Sequence, residues 1–225
     1  MKTQTQMKTQ LQRYKKIVAG LALAGSLLAL AACGSAAETA SAANPTSAAN
    51  ATSAGGGQTA QATGGQTVQQ GLKIVTGKML NKPGWPQYQL ASGGSTAAWT
   101  IAKAGDTVVL TITSYDDGTA PLPAGSPYAK VSGTVNGTET VDGQVVSSIP
   151  VGQVAHTFTI PSLGVNLVIP AAPSGKTVTV QASIKFTKAG TYDWHCMSPC
   201  GTGSSGFGGP MVTAGYMEGT LTVQG

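Results

Sequence analysis

From residue 71 onward the chain alternates apolar and polar residues in short runs rich in valine, isoleucine and threonine. Such runs, bounded by glycine, proline, asparagine and aspartate, predict β-strands. The runs lie at 98–102, 107–113, 155–160, 165–169, 177–186, 191–195 and 217–223. No segment shows the period of an amphipathic helix, so the pattern predicts an all-β fold, an antiparallel sandwich or barrel over residues 71–225.

The connection between Thr113 and His156 is too long for a simple loop and is rich in glycine and proline. We interpret 113–155 as including an insertion that covers one end of the sandwich. Asn136-Gly137 suits the positive backbone angles of a tight turn, so the insertion is predicted to contain a hairpin.

The N-terminal third lacks this alternation. Residues 1–32 combine basic residues with an apolar run from residue 17 to residue 32, as in a signal peptide. LAAC at 30–33 resembles the bacterial lipobox, which implies a lipid attached to Cys33 after cleavage. The alternative is an ordinary secretory signal with a chance cysteine. Residues 33–70 have no apolar period and predict a flexible linker. We therefore expect an exported protein, anchored by Cys33 to the outer face of the cytoplasmic membrane.

The formal charge of +5 comes from the N-terminal segment, because five basic residues precede residue 17 and eight lysines balance eight acidic residues after residue 32. A near-neutral exported domain gives no basic surface for nucleic acid. The chain has two histidines, and they form no serine-histidine-aspartate set. Paired carboxylates and a phosphate loop are also missing from the sequence, so we expect no stand-alone enzyme.

The remaining reactive residues lie near the C-terminus. His156 shares the predicted inner face of its strand with Phe158 and Ile160, so it is either a core histidine with a partner or a ligand. His195 and Cys196 are adjacent and therefore point to opposite faces of a strand. We expect Cys196 to point inward, towards His156, and His195 to point outward.

Cys196 and Cys200 are four residues apart in a loop marked by proline and glycine. In an exported protein two such cysteines form a disulfide or bind a metal. Met211 and Met217 are either core filler or thioether ligands.

Two segments resemble the copper domain of cytochrome c oxidase subunit II, a member of the cupredoxin superfamily. They are HTFTIPSLGVN at 156–166 and AGTYDWHCMSPCG at 189–201, and in that family both cysteines bridge the two copper ions of the CuA centre. The end, GYMEGTLTV at 215–223, resembles the segment that carries the axial methionine of blue-copper cupredoxins. The resemblance implies a cupredoxin-like Greek-key sandwich. It also implies a copper site of His156, Cys196 and Met217, with Cys200, Met211 or, less favoured, His195 as the fourth partner.

The sequence departs from both patterns, because Ser204 and Phe207 stand where the oxidase family has a histidine and a methionine, and no histidine follows His195. This favours a mononuclear over a dinuclear copper site. The leading hypothesis is a membrane-anchored electron carrier with a redox protein partner. The alternatives are a Cu(I) chaperone or storage lipoprotein, which soft sulfur ligands favour, and a metal-free cupredoxin fold with a Cys196–Cys200 disulfide.

Overall fold

The structure is a computed structural model that describes residues 65–76 and 84–225. The predicted signal peptide, Cys33 and the linker up to residue 64 lie outside these residues. The strands are β1 (Thr67–Val75), β2 (Gln87–Leu90), β3 (Ala98–Lys103), β4 (Thr107–Ser114), β5 (Glu139–Val141), β6 (Gln144–Val146), β7 (Val154–Ile160), β8 (Val165–Pro170), β9 (Val178–Lys185), β10 (Gly190–His195) and β11 (Glu218–Gln224). Within the described part of the chain the only helices are short 3-10 turns, and none is long and apolar enough to span a membrane.

The strands form two sheets, which confirms the predicted all-β sandwich. One sheet has the order β2-β1-β4-β9-β5-β6, and the other β3-β11-β10-β7-β8. The sequence predicted antiparallel sheets, but β1 pairs with β4 and β3 pairs with β11 in parallel. The reason is that β3 belongs to the opposite sheet from β1, β2 and β4, so the chain crosses between sheets before it returns beside β1.

Strand β1 also corrects the predicted linker boundary at residue 70. It begins at Thr67, four residues before the predicted start of the folded part at residue 71, and its first half is partly exposed. Its residues pair with β4 from Thr67 to Ile74. Backbone pairing with a distant strand therefore makes residues 67–71 part of a strand, although the side chains of these five residues show no alternation that would predict one.

The core lies between the sheets. Alternation along β4 buries Val108, Leu110 and Ile112. The neighbouring strand β9 of the same sheet buries Val180 and Ala182 beside them. Burial of each such aliphatic side chain stabilises the folded state by about 1.5–3 kcal/mol relative to leaving it exposed to water. The sheets are thus held by the apolar faces that the sequence pattern predicted.

Three aromatic rings fix the strands that carry the candidate ligands. The ring centroid of Trp194 lies 5.3 Å from that of Phe158, in a stacked arrangement, and 5.2 Å from that of Tyr88, edge to face. All three side chains are fully buried. Phe158 follows His156 by two residues and Trp194 precedes Cys196 by two, so the aromatic cluster sets the spacing of these two positions.

The predicted insertion contains a hairpin, β5–β6, but its turn is not at Asn136-Gly137. The two-residue turn is Asp142-Gly143, whose φ angles are 48° and 82°. Positive φ at both central residues matches the right-handed twist of the flanking strands. Gly137 instead closes an earlier turn, in which its N–H donates to the carbonyl of Thr134.

The insertion covers the outer face and the edge of the second sheet at β8. Ser132 and Asn166 exchange two backbone hydrogen bonds of 3.0 Å, which close the edge. Consequently every residue of β7 is buried, including Thr157 and Thr159 on the face opposite His156. The insertion therefore pairs backbone N–H and C=O groups of the edge strand β8 that could otherwise form hydrogen bonds with a strand of another chain.

Candidate metal centre

His156 lies in β7 with its ring held at one nitrogen only. Nε2 is 2.8 Å from the carboxylate oxygen Oδ2 of Asp116. Nδ1 is buried and has no hydrogen-bond partner among the described residues. An unpaired buried polar atom destabilises the folded protein. Nδ1 of His156 is therefore available to bind a group that the protein itself does not supply.

Asp116, just beyond the end of β4, is held in place by two further hydrogen bonds. Its Oδ1 accepts the N–H of Gly118 at 2.9 Å, and its carbonyl accepts the N–H of Ala172 at 2.8 Å. A histidine that binds a metal usually donates its other ring N–H to a carboxylate. Asp116 therefore sets both the orientation and the tautomer that leave Nδ1 of His156 available.

Cys196 follows the last residue of β10 and continues its pairing with the neighbouring strand. Its N–H donates to the carbonyl of Met217 at 2.8 Å, and its side chain is 3% exposed. The sulfur accepts the N–H of Thr157 at 3.4 Å and lies 3.5 Å from Oγ of Ser198. The predicted inward direction of Cys196 is what the structure shows.

His195 turns to the other face, as strand alternation predicted. Its Nδ1 lies 3.5 Å from Oε2 of Glu218, and its side chain is 38% exposed. The strand thus separates His195 from the sulfur of the adjacent Cys196.

Cys200 and Met211 complete a group of three sulfur atoms. Sγ of Cys200 lies 3.3 Å from Sγ of Cys196 and 3.2 Å from Sδ of Met211. An S–S bond is about 2.05 Å long, so the structure holds two separate thiols rather than a disulfide. A Cβ atom on Gly201 would lie 2.5 Å from Cγ of Met211, so glycine at this position permits the close approach of the methionine.

Met217, the other methionine proposed from sequence, is joined to the centre through its backbone. Its carbonyl accepts the N–H of Cys196, and its own N–H donates to the carbonyl of Pro210 at 3.1 Å. The side chain is fully buried in the core. It remains a predicted ligand, while Met211 is the methionine whose sulfur lies against Cys200.

The electrostatics favour one ionised thiol. Burial opposes ionisation of Cys196, but the hydrogen bond from Cys200 and the neighbouring His156 lower the pKa of the Cys196 thiol. The contact with Cys196 raises the pKa of Cys200, so the shared proton resides there. Burial works against a charged His156, but Asp116 and Cys196 raise its pKa to about 9. Cys196 is therefore the thiol of the pair that ionises more easily, and it does so beside His156.

These residues fit a copper ion. The ligand atoms of His156, Cys196 and Cys200 all lie within 4.8 Å of one another. One imidazole nitrogen, two cysteine sulfurs and one thioether form a soft donor set of the kind that copper prefers. A cavity of about 390 Å³, lined in part by Asp116, His156 and Cys200, adjoins the donors and opens towards the surface.

Sequence reasoning missed Asp116, Thr157 and Ser198. No motif marks Asp116, because it lies 40 residues from His156 and reaches it only after the two sheets pack. Strand alternation puts the side chain of Thr157 on the face opposite His156. Its backbone N–H nevertheless reaches the sulfur of Cys196.

The chain matches no protein-family model and no curated protein sequence. Among solved structures it is similar to rusticyanin from Thiobacillus ferrooxidans, with 18% identity and a TM-score of 0.38 over 71% of this chain and 79% of that one. A structure of reduced rusticyanin gives 17% identity and a TM-score of 0.38 over 71% of this chain and 81% of that one. A copper nitrite reductase from Nitrosomonas europaea gives 16% identity and a TM-score of 0.31 over 70% of this chain and 41% of that one. At these identities and TM-scores the similarity carries no conclusion about the chemistry of this chain.

Proposed function

We propose that this protein binds copper through His156, Cys196, Cys200 and Met211, with Met217 as the alternative thioether, and carries single electrons. The observation that carries this proposal is the unpaired, buried Nδ1 of His156, which belongs to the same cluster as the cysteine sulfurs. Copper, when bound, supplies one-electron exchange between its two oxidation states.

The protein's own residues keep the donors in place. Asp116 fixes the ring of His156, and the N–H of Thr157 fixes the sulfur of Cys196. Both donors extend from strands of one packed sheet, so their positions need little change when the charge of the site changes. A donor set that does not move favours rapid electron transfer over chemistry on a substrate.

Copper analysis of the purified full-length protein tests the proposal. We expect bound copper and, after oxidation, an intense visible absorption from thiolate-to-Cu(II) charge transfer. Paramagnetic resonance then distinguishes the favoured mononuclear site from a dinuclear one, because one or two copper nuclei give different hyperfine patterns. Failure to retain copper, together with thiols that appear only after a reductant is added, would instead indicate a metal-free fold with a Cys196–Cys200 disulfide.

A second candidate function is Cu(I) delivery or storage. The contact of three sulfurs, from Cys196, Cys200 and Met211, supports it, because thiolate and thioether ligands select Cu(I). Cys200 is only partly buried and lines the cavity, so it is accessible to an incoming ion. A colourless protein that retains Cu(I), releases it to a soluble chelator and develops no absorption on oxidation would favour this function over electron transfer.

The surface around Met211 favours a redox partner with an apolar face. Residues 196–217 contain no charged residue, and Phe207 and Val212 are 48% and 67% exposed. Without charges there is little electrostatic steering of a partner. We therefore expect electron self-exchange between oxidised and reduced copies, measured by NMR line broadening, to change little with ionic strength.

Adding charge to this surface is expected to slow that exchange. Phe207→Lys combined with Val212→Lys brings like charges together at the contact, and we expect a rate at least about tenfold lower at low salt. Val145→Lys is the matched control, because Val145 is 70% exposed on the β5–β6 hairpin. Equal slowing by Val145→Lys would show that the contact lies elsewhere.

We also propose that Cys33 anchors the protein to the outer face of the cytoplasmic membrane, on the support of LAAC at 30–33. A diacylglycerol-modified cysteine with a further acyl chain binds membranes more firmly than one chain does. Cys33→Ala is expected to move the protein from the membrane fraction to the soluble fraction. Unchanged membrane association would leave the segment at 17–32 as an uncleaved anchor instead.

A further inference from the structure

A buried chain of hydrogen bonds leads away from the candidate metal centre. The N–H of Met197, between the two cysteines, donates to Oγ1 of Thr157 at 2.7 Å. Oγ1 of Thr157 lies 2.9 Å from Oγ1 of Thr159, which in turn donates to Oδ1 of Asn166 at 2.7 Å. The side chains of Thr157, Thr159 and Asn166 are at most 4% exposed. Water therefore does not replace these bonds.

The far end of this chain is the insertion. Nδ2 of Asn166 donates to the carbonyls of Tyr128 and Lys130, at 3.1 and 2.7 Å. These two bonds fix which end of the amide is the oxygen, so Oδ1 must accept the proton of Thr159. The hydroxyl of Thr159 has one proton, and Thr157 must therefore donate to Thr159.

All donors in the chain consequently point the same way, from Met197 towards the insertion. Bonds aligned in one direction polarise one another and strengthen each other in a buried environment. The hydroxyl of Thr157, which accepts the N–H of Met197, therefore has only one available orientation. The strength of this hydrogen bond depends on Thr159 and Asn166, neither of which is hydrogen-bonded through its side chain to His156, Cys196 or Cys200.

We propose that the insertion, residues 115–153, positions the Cys196–Cys200 loop through Asn166, Thr159 and Thr157. This rests on the proposed copper site as the function of that loop. The same segment supplies Asp116, so it supports both the histidine and the cysteine side of the centre. Thr159 and Asn166 are positioning residues, and they give the long insertion a role that its sequence does not reveal.

Thr159→Val tests the proposal in the full-length protein, because valine matches the shape of threonine but neither accepts nor donates. In the reduced, copper-free protein we expect the Met197 amide to exchange its hydrogen about tenfold faster, as for loss of about one hydrogen bond. With copper bound, we expect the thiolate-to-copper absorption to shift. Thr159→Ser restores the hydroxyl and is expected to restore both properties.

Thr220→Val is the control, since it removes a threonine side-chain bond from the same sheet, the partly buried bond to the carbonyl of Ala97 at 3.3 Å. Wild-type exchange and absorption in Thr159→Val would overturn the proposal. The same changes in Thr220→Val, or no recovery in Thr159→Ser, would also overturn it, because they would indicate general loosening or a steric effect. If the wild type binds no copper, the proposed function fails, while the exchange rates of the copper-free protein still decide the positioning role.

Discussion

Cys196→Ser is expected to abolish the thiolate-to-copper absorption and to lower copper affinity by more than about 100-fold. That factor is the upper end of what loss of a residue behind the ligands costs, and a direct ligand costs more. Serine keeps an acceptor for the N–H of Thr157, which lies 3.4 Å from the sulfur. The fold is therefore retained, and thermal unfolding of the copper-free variant serves as the check.

Cys200→Ser is the comparison that tests whether Cys196 is the principal thiolate ligand. Cys200 lies beside Met211 at the cavity, is partly buried and has a raised pKa, whereas Cys196 has a lowered one. We expect Cys200→Ser to bind copper more weakly but to keep a visible thiolate absorption. Equal loss of colour in both variants would contradict a principal role for Cys196 and would favour a centre in which both sulfurs bridge two coppers.

Glu139→Gln is expected to stabilise the protein at neutral pH. Glu139 is 2% exposed, and both of its oxygens face the N–H of Val168, at 3.1 and 3.3 Å. Burial raises the pKa of Glu139 from 4.5 to about 8, although the bond from Val168 partly offsets this. The folded protein therefore keeps this carboxyl protonated at neutral pH, whereas the unfolded chain ionises it.

The sign of the effect follows from proton binding. Below about pH 4.5 both states are protonated, and between pH 4.5 and about pH 8 only the folded state keeps the proton. The free energy of unfolding therefore falls by about 1.4 kcal/mol per pH unit in this window and by about 3 kcal/mol by pH 7. Above about pH 8 the loss is complete.

Denaturant titrations across that pH range measure the effect. Glutamine keeps an acceptor for Val168 but does not titrate, so Glu139→Gln should remove the decline. Glu139→Ala also removes the titration, but it leaves the Val168 N–H unpaired and opens a cavity, so it should lower stability at every pH. A wild-type decline that persists in Glu139→Gln would assign the pH dependence to another group.

The strands that sequence predicted are those whose side chains alternate. All seven predicted runs are strands, namely β3, β4 and β7 to β11. The other four strands are short or begin in a polar segment. The sequence of β1 begins TVQQG, and its partner β4 is 40 residues away. Strands β2, β5 and β6 have only three or four residues each. Such short strands exist because neighbouring strands pair with them, and pairing partners are not visible in a local window.

In the candidate site, too, strand alternation predicted some features and tertiary packing decided the others. Strand alternation placed Cys196 inward and His195 outward, because successive side chains point to opposite faces whatever the rest of the fold does. The sequence alone therefore determined the all-β class, most of the strands and the residue types that a copper site needs. Tertiary structure alone decided that Asp116 holds His156, that Met211 contacts Cys200 and that the insertion reaches the cysteine loop. Each of these contacts joins residues far apart in the chain or separated by an irregular loop. Their distances are set by how the sheets and loops pack and not by any periodicity of the sequence.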